Sequence, residues 1–244
     1  TELLKKRGSF GETIQALDEV MTNTKRALVA FEESTQNGSY LQARKQLLET
    51  KDSLYSLNEK MERIPYLLMQ VRSTLPGELS NLQLGIKEME EDGYHLETFS
   101  FHSKIATFKE EIDKAYIALK TLEVDEAAAT LEDVQAEIDS MYETLEKEAT
   151  YKSKLLAQIP VLKAEIEKAN KNMKQLLDET TQVEKSYMIA SEEVQLQQTL
   201  QKDLRNVQSQ LTVIMDVFEN QKQTFSSIFE MTEDWRIQME ELST

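Results

Sequence analysis

The chain contains two histidines, His95 and His102, which are the side chains best suited to bind a metal ion. The segment Asp92-Gly93-Tyr94-His95 places a carboxylate three residues before an imidazole. A di-iron site in a helical bundle needs two Glu-x-x-His pairs and two further glutamates. This chain has one imperfect copy, and Gly93 interrupts it. We interpret both histidines as residues of an inter-helix joint or of the surface, and we predict no metal site.

Residues suited to catalysis are equally scarce. Cysteine is absent, which excludes a thiol nucleophile and a disulfide framework and weakly favours a reducing cytosol. No spacing of serine, histidine and aspartate suggests a catalytic triad, and no glycine-rich phosphate loop precedes a helix. The sequence therefore predicts a protein that is not an enzyme, with no catalytic residue, no cofactor-binding residue and no cofactor.

A few other features are candidates for recognition. Acidic runs at 88–92 and 230–241 could dock basic partners, although such runs are more typical of solvated helix surface. Trp235 is the best candidate for an exposed anchor, because large aromatic residues dominate interfaces, yet it also fits a core position. Lys5-Lys6-Arg7 could contact phospholipid, though three charges are few. Five methionines fit core positions: Met21, Met61, Met89, Met141 and Met173.

The charge balance limits the class of partner. The 28 basic and 44 acidic residues give a formal net charge of −16. Such a surface repels phosphate, so we predict no nucleic-acid partner and no direct binding to an anionic leaflet. No apolar run approaches the roughly 20 residues that span a bilayer. The opening residues Thr1-Glu2-Leu3-Leu4-Lys5 lack a signal peptide and suggest an internal fragment.

The spacing of glycine, proline and apolar residues predicts long helices. Gly93 is the last glycine, and Pro160 is the only proline in the final 151 residues. These two residue types permit or impose unusual backbone angles, so a segment with almost none cannot turn often. Apolar residues recur three and four positions apart along most of the chain, which is the pattern of one helix face. We call each such row an apolar stripe.

Turn residues predict the helix boundaries in the first half of the chain. Tight turns are expected at Asn37-Gly38-Ser39 and at Glu123-Val124-Asp125, with Ser39 and Asp125 as N-caps, and a looser loop is expected at 93–100. Ser9 is expected to cap the first helix, with Glu12 completing a capping box.

Other boundaries are less defined by the sequence. Pro65 predicts a kink or a restarting helix, and Pro76-Gly77 predicts a firmer break. The apolar stripe weakens near Lys152. No clear turn occurs between Ser191 and Leu242, so either one helix covers that span or a turn there lacks its usual residues.

Landmarks recur along the chain and indicate an internal repeat. The turns at Gly38 and Val124 are 86 residues apart, and Ile64-Pro65 and Ile159-Pro160 are 95 apart. Each period holds three helices, which predicts an all-α fold of elongated tandem three-helix, spectrin-like antiparallel bundles with long shared helices. The expected repeats are 1–92, 93–187 and a partial third at 188–244, joined into a rod or arc. One long antiparallel hairpin is the alternative.

The order and spacing of several segments resemble those of one protein family. The segments are Gly38-Ser39-Tyr40-Leu41-Gln42-Ala43-Arg44, Ile64-Pro65 with Leu67-Leu68, Leu75-Pro76-Gly77-Glu78-Leu79, Gly93-Tyr94-His95-Leu96-Glu97, Leu122-Glu123-Val124-Asp125-Glu126-Ala127-Ala128, and Ala136-Glu137-Ile138-Asp139-Ser140-Met141-Tyr142 with Leu145-Glu146-Lys147-Glu148. Over residues 36–195 the chain resembles EzrA, the septation ring formation regulator of low-GC Gram-positive bacteria.

The resemblance implies a scaffold or adaptor of bacterial cell division. It implies a cytoplasmic rod of spectrin-like repeats at the division septum, tied to the membrane only by an N-terminal transmembrane helix absent from this chain. The implied partners are FtsZ and other division proteins, with negative regulation of the FtsZ ring, and self-association is left open. The family's FtsZ-associated patch has no match after Gln197. The alternative is a mechanical helical spacer or cytoskeletal linker without direct FtsZ contact.

Overall fold

A computed structural model describes residues 3–184 and 191–243 of the chain. Within these ranges every regular element is helical and none is a strand, which confirms the all-α prediction. The α-helices of the described ranges are α1 (Ile14–Gln36), α2 (Tyr40–Met69), α3 (Leu75–Glu91), α4 (Phe101–Lys120), α5 (Val124–Glu184), α6 (Ser191–Glu219) and α7 (Phe225–Ser243). Short segments join them: 3-10 helices at Leu3–Thr13 and Glu97–Phe99, and a π-helix at Gln70–Thr74.

The two predicted tight turns and the predicted loop are confirmed, but two of the three predicted N-caps are not. Gly38 has a φ of +74° between α1 and α2, a conformation that glycine adopts without steric cost. Ser39 does precede α2, although its side chain forms no capping hydrogen bond. Asp125 lies one residue inside α5 and pairs with Arg63 instead of capping the helix.

The predicted cap at Ser9 is wrong, because α1 begins only at Ile14 and the residues before it form a 3-10 segment. Glu12, which was expected to complete that cap, pairs with Lys120 of α4. A hydrogen bond from Lys120 lowers the pKa of Glu12, and the same contact raises the pKa of Lys120. The competing partner across the bundle therefore displaces a local cap.

Both early prolines lie within continuous helical backbone. The restart predicted at Pro65 is wrong, since α2 runs through it from Tyr40 to Met69. The break predicted at Pro76-Gly77 is also wrong, because Leu75 has α-helical angles and α3 runs through both residues. A proline ring clashes with the carbonyl four residues earlier, here Arg72. That residue lies in the π-helix Gln70–Thr74, where the wider turn can accommodate the ring.

The chain forms two compact units, and the first comprises Thr1–Leu84 and Phe101–Met141. Its core is built from the stripes of α2, α3, α4 and the first part of α5. Polar contacts link the same helices: Gln135 of α5 donates to Glu78 of α3 at 2.9 Å, and Lys109 of α4 donates to Gln83 of α3 at 3.1 Å. Fully buried members of this core include Ile64, Leu75, Leu79, Leu82, Ile105, Leu119 and Ile138.

The second unit comprises Gly85–Ser100 and Tyr142–Thr244. Its apolar core draws on three helices, α5, α6 and α7, and its buried members are Leu155, Ile159, Leu162, Ile166, Leu204, Val207, Leu211, Ile214, Val217, Phe225, Ile228, Trp235 and Met239. A turn at 220–224 separates α6 from α7. Of the two alternatives that the sequence left open there, the turn without its usual residues is therefore the right one. The predicted repeat boundary at 187/188, with Tyr187, lies outside the described residues.

Candidate interaction surfaces

Two charged residues stand where the apolar stripe of α5 weakens. The stripe passes Met141 and Leu145 and resumes at Leu155, and the alternating spacing of three and four assigns the intervening positions to Glu148 and Lys152. Glu148 is 1% exposed and Lys152 is half-buried. The stripe therefore keeps its register, with two charges in place of two apolar side chains.

The Glu148 carboxylate caps the N-terminus of α7. It accepts hydrogen bonds from the backbone N–H groups of Phe225, at 2.7 Å, and Ser226, at 3.2 Å. The first N–H groups of a helix lack partners within it, and the helix dipole favours a negative charge there. Thr224 adds a second cap, since its hydroxyl accepts from the N–H of Ser227 at 3.3 Å. Glu148 is therefore a buried anchor for α7.

Lys152 joins the loop after α3 to the start of α7. Its ammonium donates to the backbone carbonyl of Asp92 at 3.0 Å and lies 4.2 Å from the centre of the Tyr94 ring and 5.4 Å from that of Phe225. The two rings meet edge to face, with centroids 5.0 Å apart. Burial, followed by the nearby carboxylates of Asp92 and Glu148, raises the pKa of Tyr94. This cluster is a structural joint whose charges face one another.

The backbone around this joint explains why Gly93 is the last glycine. Gly93 has a φ of +86°, and a Cβ there would lie 2.1 Å from the amide group of Gln221. Gln221 itself has a φ of +51° in the turn before α7. The two turns therefore approach closely, and only a residue without a side chain fits at position 93.

The residues singled out for chemistry lie apart from any assembled site. His95 is half-buried in the loop after α3, and His102 is exposed in the first turn of α4. No group of three or more histidine, aspartate or glutamate side chains within the described ranges could hold a metal ion. Nor is any helix of the described residues both long and apolar enough to cross a bilayer. The side chains of Lys5-Lys6-Arg7 lie outside what the structure describes.

Trp235 is a core residue, and its interpretation as an exposed anchor is wrong. It is 1% exposed, within the core of α5, α6 and α7, and its indole N–H donates to the backbone carbonyl of Val207 at 2.8 Å. Met141 is buried as predicted, and Met173 packs against the core of the second unit. The acidic surface of α7 is exposed at Glu230, Asp234 and Glu240.

Two helix pairs carry exposed apolar side chains that the three-helix cores leave uncovered. On the α1–α2 pair these include Leu28, Leu47 and Leu54. On the α5–α6 pair they are Leu176, Val183 and Leu196, which are 41%, 49% and 62% exposed. All of them fit the apolar stripes, so they are core-type positions that lack a covering helix. The stripe pattern does not distinguish a covered position from an uncovered one.

The α5–α6 pair forms an apolar groove of 360 Å³, which we call the α5–α6 groove. Gln197 of α6 donates to the Thr180 hydroxyl of α5 at 3.2 Å and ties the two helices together. The complete lining is Leu176, Glu179, Thr180, Val183, Glu193, Leu196, Gln197 and Leu200. Four of these eight residues are aliphatic, and the only charged ones are two glutamates.

Comparison with known proteins identifies the family. The model of the family described as septation ring formation regulator, EzrA, matches residues 1–244. The chain belongs to the EzrA family. The family assignment made from residues 36–195 is thereby confirmed, and it extends to the whole chain.

Several EzrA relatives bear the name septation ring formation regulator. The protein of Halalkalibacterium halodurans is 34% identical over 225 residues, covering 92% of this chain and 40% of the relative. That of Bacillus subtilis is 28% identical over 234 residues, covering 96% and 42%. That of a Geobacillus species is 28% identical over 238 residues, covering 98% and 42%. No solved structure matches the chain. This EzrA chain thus spans about two fifths of the length of these relatives.

Proposed function

We propose that the chain is a segment of a scaffold protein in bacterial cell division, one that acts by binding other division proteins. The observation that carries this proposal is the EzrA family match over all 244 residues, together with relatives named as septation ring formation regulators. The structure adds apolar side chains exposed on two helix pairs, which suit recognition of other helices. The proposed role requires no catalysis.

The finer proposal is that the whole protein binds FtsZ and restrains assembly of its ring. It would act at the cytoplasmic face of the cell membrane at the division septum, tethered by an N-terminal transmembrane helix outside this chain. The net charge of −16 supports a protein partner over nucleic acid or anionic lipid. We also propose that the helices are organised as spectrin-like repeats, which would place binding surfaces along a linear scaffold.

A mechanical spacer is the second candidate, and the length of α5 favours it. This helix runs without a break over 61 residues and supplies core side chains to both units. Charge reversal of exposed residues separates the two functions. An adaptor loses partner binding while its helicity is unchanged, whereas a spacer loses function only when helices are shortened or lengthened.

Co-sedimentation with FtsZ polymers tests the finer proposal. The full-length protein is expected to pellet with assembled FtsZ and to reduce the polymer mass, measured beside this chain alone at equal concentration. Binding by the full-length protein only would place the FtsZ contact outside these residues. If the intact protein stays in the supernatant at every concentration of FtsZ, FtsZ is not its partner.

A further inference from the structure

We propose that the α5–α6 groove is a docking site for an amphipathic helix of a partner protein, with basic residues flanking the apolar face of that helix. This inference deepens the proposed function, since it names a surface and a chemical class of partner. It does not require that the partner be FtsZ.

The first argument is that the groove continues an interface already present in the molecule. Farther along the same two helices, α7 packs against α5 and α6 and buries Ile228, Trp235 and Met239. Leu200 is the point of contact between the two regions, because it lines the groove and also a cleft beside Leu242 near the end of α7. A helix therefore fits the groove in the way that α7 fits the neighbouring surface.

The second argument is the spacing of the exposed apolar residues. Leu176 and Val183 are seven residues apart on α5, and Leu196 and Leu200 are four apart on α6. Seven residues of helix rise about 10 Å, or two turns. An occupant with apolar residues at positions i, i+3 or i+4, and i+7 covers this length with one face. Covering Leu176, Val183 and Leu196 also removes the largest exposed apolar surface of this helix pair from water.

The third argument is charge. Glu179 and Glu193 line the groove, one on each helix, and no lysine or arginine lines it. An occupant with lysine or arginine beside its apolar face is thus favoured, and an acidic one is repelled. A second copy of α7 is a poor candidate, because that helix carries five acidic residues and one basic residue. The charge pattern also disfavours an anionic lipid surface.

A designed peptide provides the test. The probe is an 18-residue fluorescent helix with leucines at i, i+3, i+4 and i+7 and lysines beside them, titrated with this chain and followed by anisotropy. The control peptide has glutamate in place of every lysine. We expect the lysine peptide to bind at least about tenfold more tightly, since 1.4 kcal/mol corresponds to a factor of ten, and raised salt to reduce the difference.

Variants of the chain localise the binding. Leu196→Asp places a charge at an exposed position of the groove and is expected to weaken binding of the lysine peptide at least about tenfold. Leu156→Asp is the matched control: Leu156 is also an exposed leucine of the second unit, lies on α5 outside the groove lining, and its variant is expected to bind normally. Circular dichroism checks that both variants keep the helicity of the parent chain.

Several results overturn the inference. Equal binding of the lysine and glutamate peptides removes the charge argument, and full binding by Leu196→Asp places the peptide elsewhere. Self-association that Leu196→Asp abolishes assigns the groove to a second copy. Binding by this chain but not by the full-length protein assigns it to the protein's own residues. Loss of FtsZ co-sedimentation with peptide binding intact removes only the FtsZ proposal, and the converse removes only this one.

Discussion

Replacing Trp235 with alanine is expected to lower the free energy of unfolding of the α5–α6–α7 core by about 3–5 kcal/mol, the range for large aromatic residues in cores. The side chain is almost fully buried, and its loss leaves a cavity between α7 and α6. The substitution also removes the 2.8 Å hydrogen bond from the indole to the carbonyl of Val207. We therefore expect α7 to separate from α6 before the rest of the unit unfolds.

Urea denaturation followed by circular dichroism measures this change without relying on tryptophan fluorescence. Amide hydrogen exchange then locates it, with faster exchange expected across α7 and the facing part of α6. Ile237→Ala is the matched control, because Ile237 lies two residues away on the same helix and is exposed. That variant should change stability by less than about 0.5 kcal/mol. Similar losses for the two variants would contradict the core position of Trp235.

The second large effect is expected for Glu148→Ala, with a loss of about 2–3 kcal/mol. Hydrogen bonds to a charged group contribute about 1.5–3 kcal/mol, and a buried donor left without a partner carries its full desolvation cost. Here the buried N–H of Phe225 loses its acceptor, Ser226 loses a second bond, and Lys152 loses a nearby opposite charge. Glu148→Gln keeps one acceptor oxygen but turns an amide donor toward the other N–H, so a partial loss is expected.

Hydrogen exchange at the start of α7 is the specific measurement for Glu148. The amides of Phe225 and Ser226 should exchange faster in Glu148→Ala, while those of α5 near residue 162 stay protected. Glu146→Ala is the control, since Glu146 is an exposed glutamate of the same helix turn. Equal stability of the Glu148 and Glu146 variants would show that the buried carboxylate does not anchor α7.

Much of the fold could be predicted from the sequence because the stripes report helix faces directly. Leu162, Ile166, Val207 and Leu211 were assigned to buried faces from spacing alone, and the structure buries all four. The turn at 220–224 escaped because Gln221 adopts the left-handed conformation that usually signals glycine. Its hydrogen bonds come instead from a backbone that closes on residues 216–218.

The candidate surfaces were harder to predict, for two physical reasons. Glu148 looked like a weak point in the stripe, although its exact register was the available signal that a buried charge caps another helix. Leu176 and Leu196 satisfy the same spacing as the buried Leu162, so periodicity marks a face without saying whether a helix covers it. Coverage depends on how many helices meet at each level of the bundle, and only the structure gives that number.

Hydrogen exchange along α5 and α6, with and without the lysine peptide, tests the central claim most directly. The claim is that buried stripes stabilise the three-helix core, while the same stripes remain open for a partner in the groove. We predict strong protection at 155–166 and 204–217, weaker protection at 176–183 and 193–200, and a rise at the latter two segments when the peptide is added. Uniform protection without the peptide, or no change on adding it, would contradict the account.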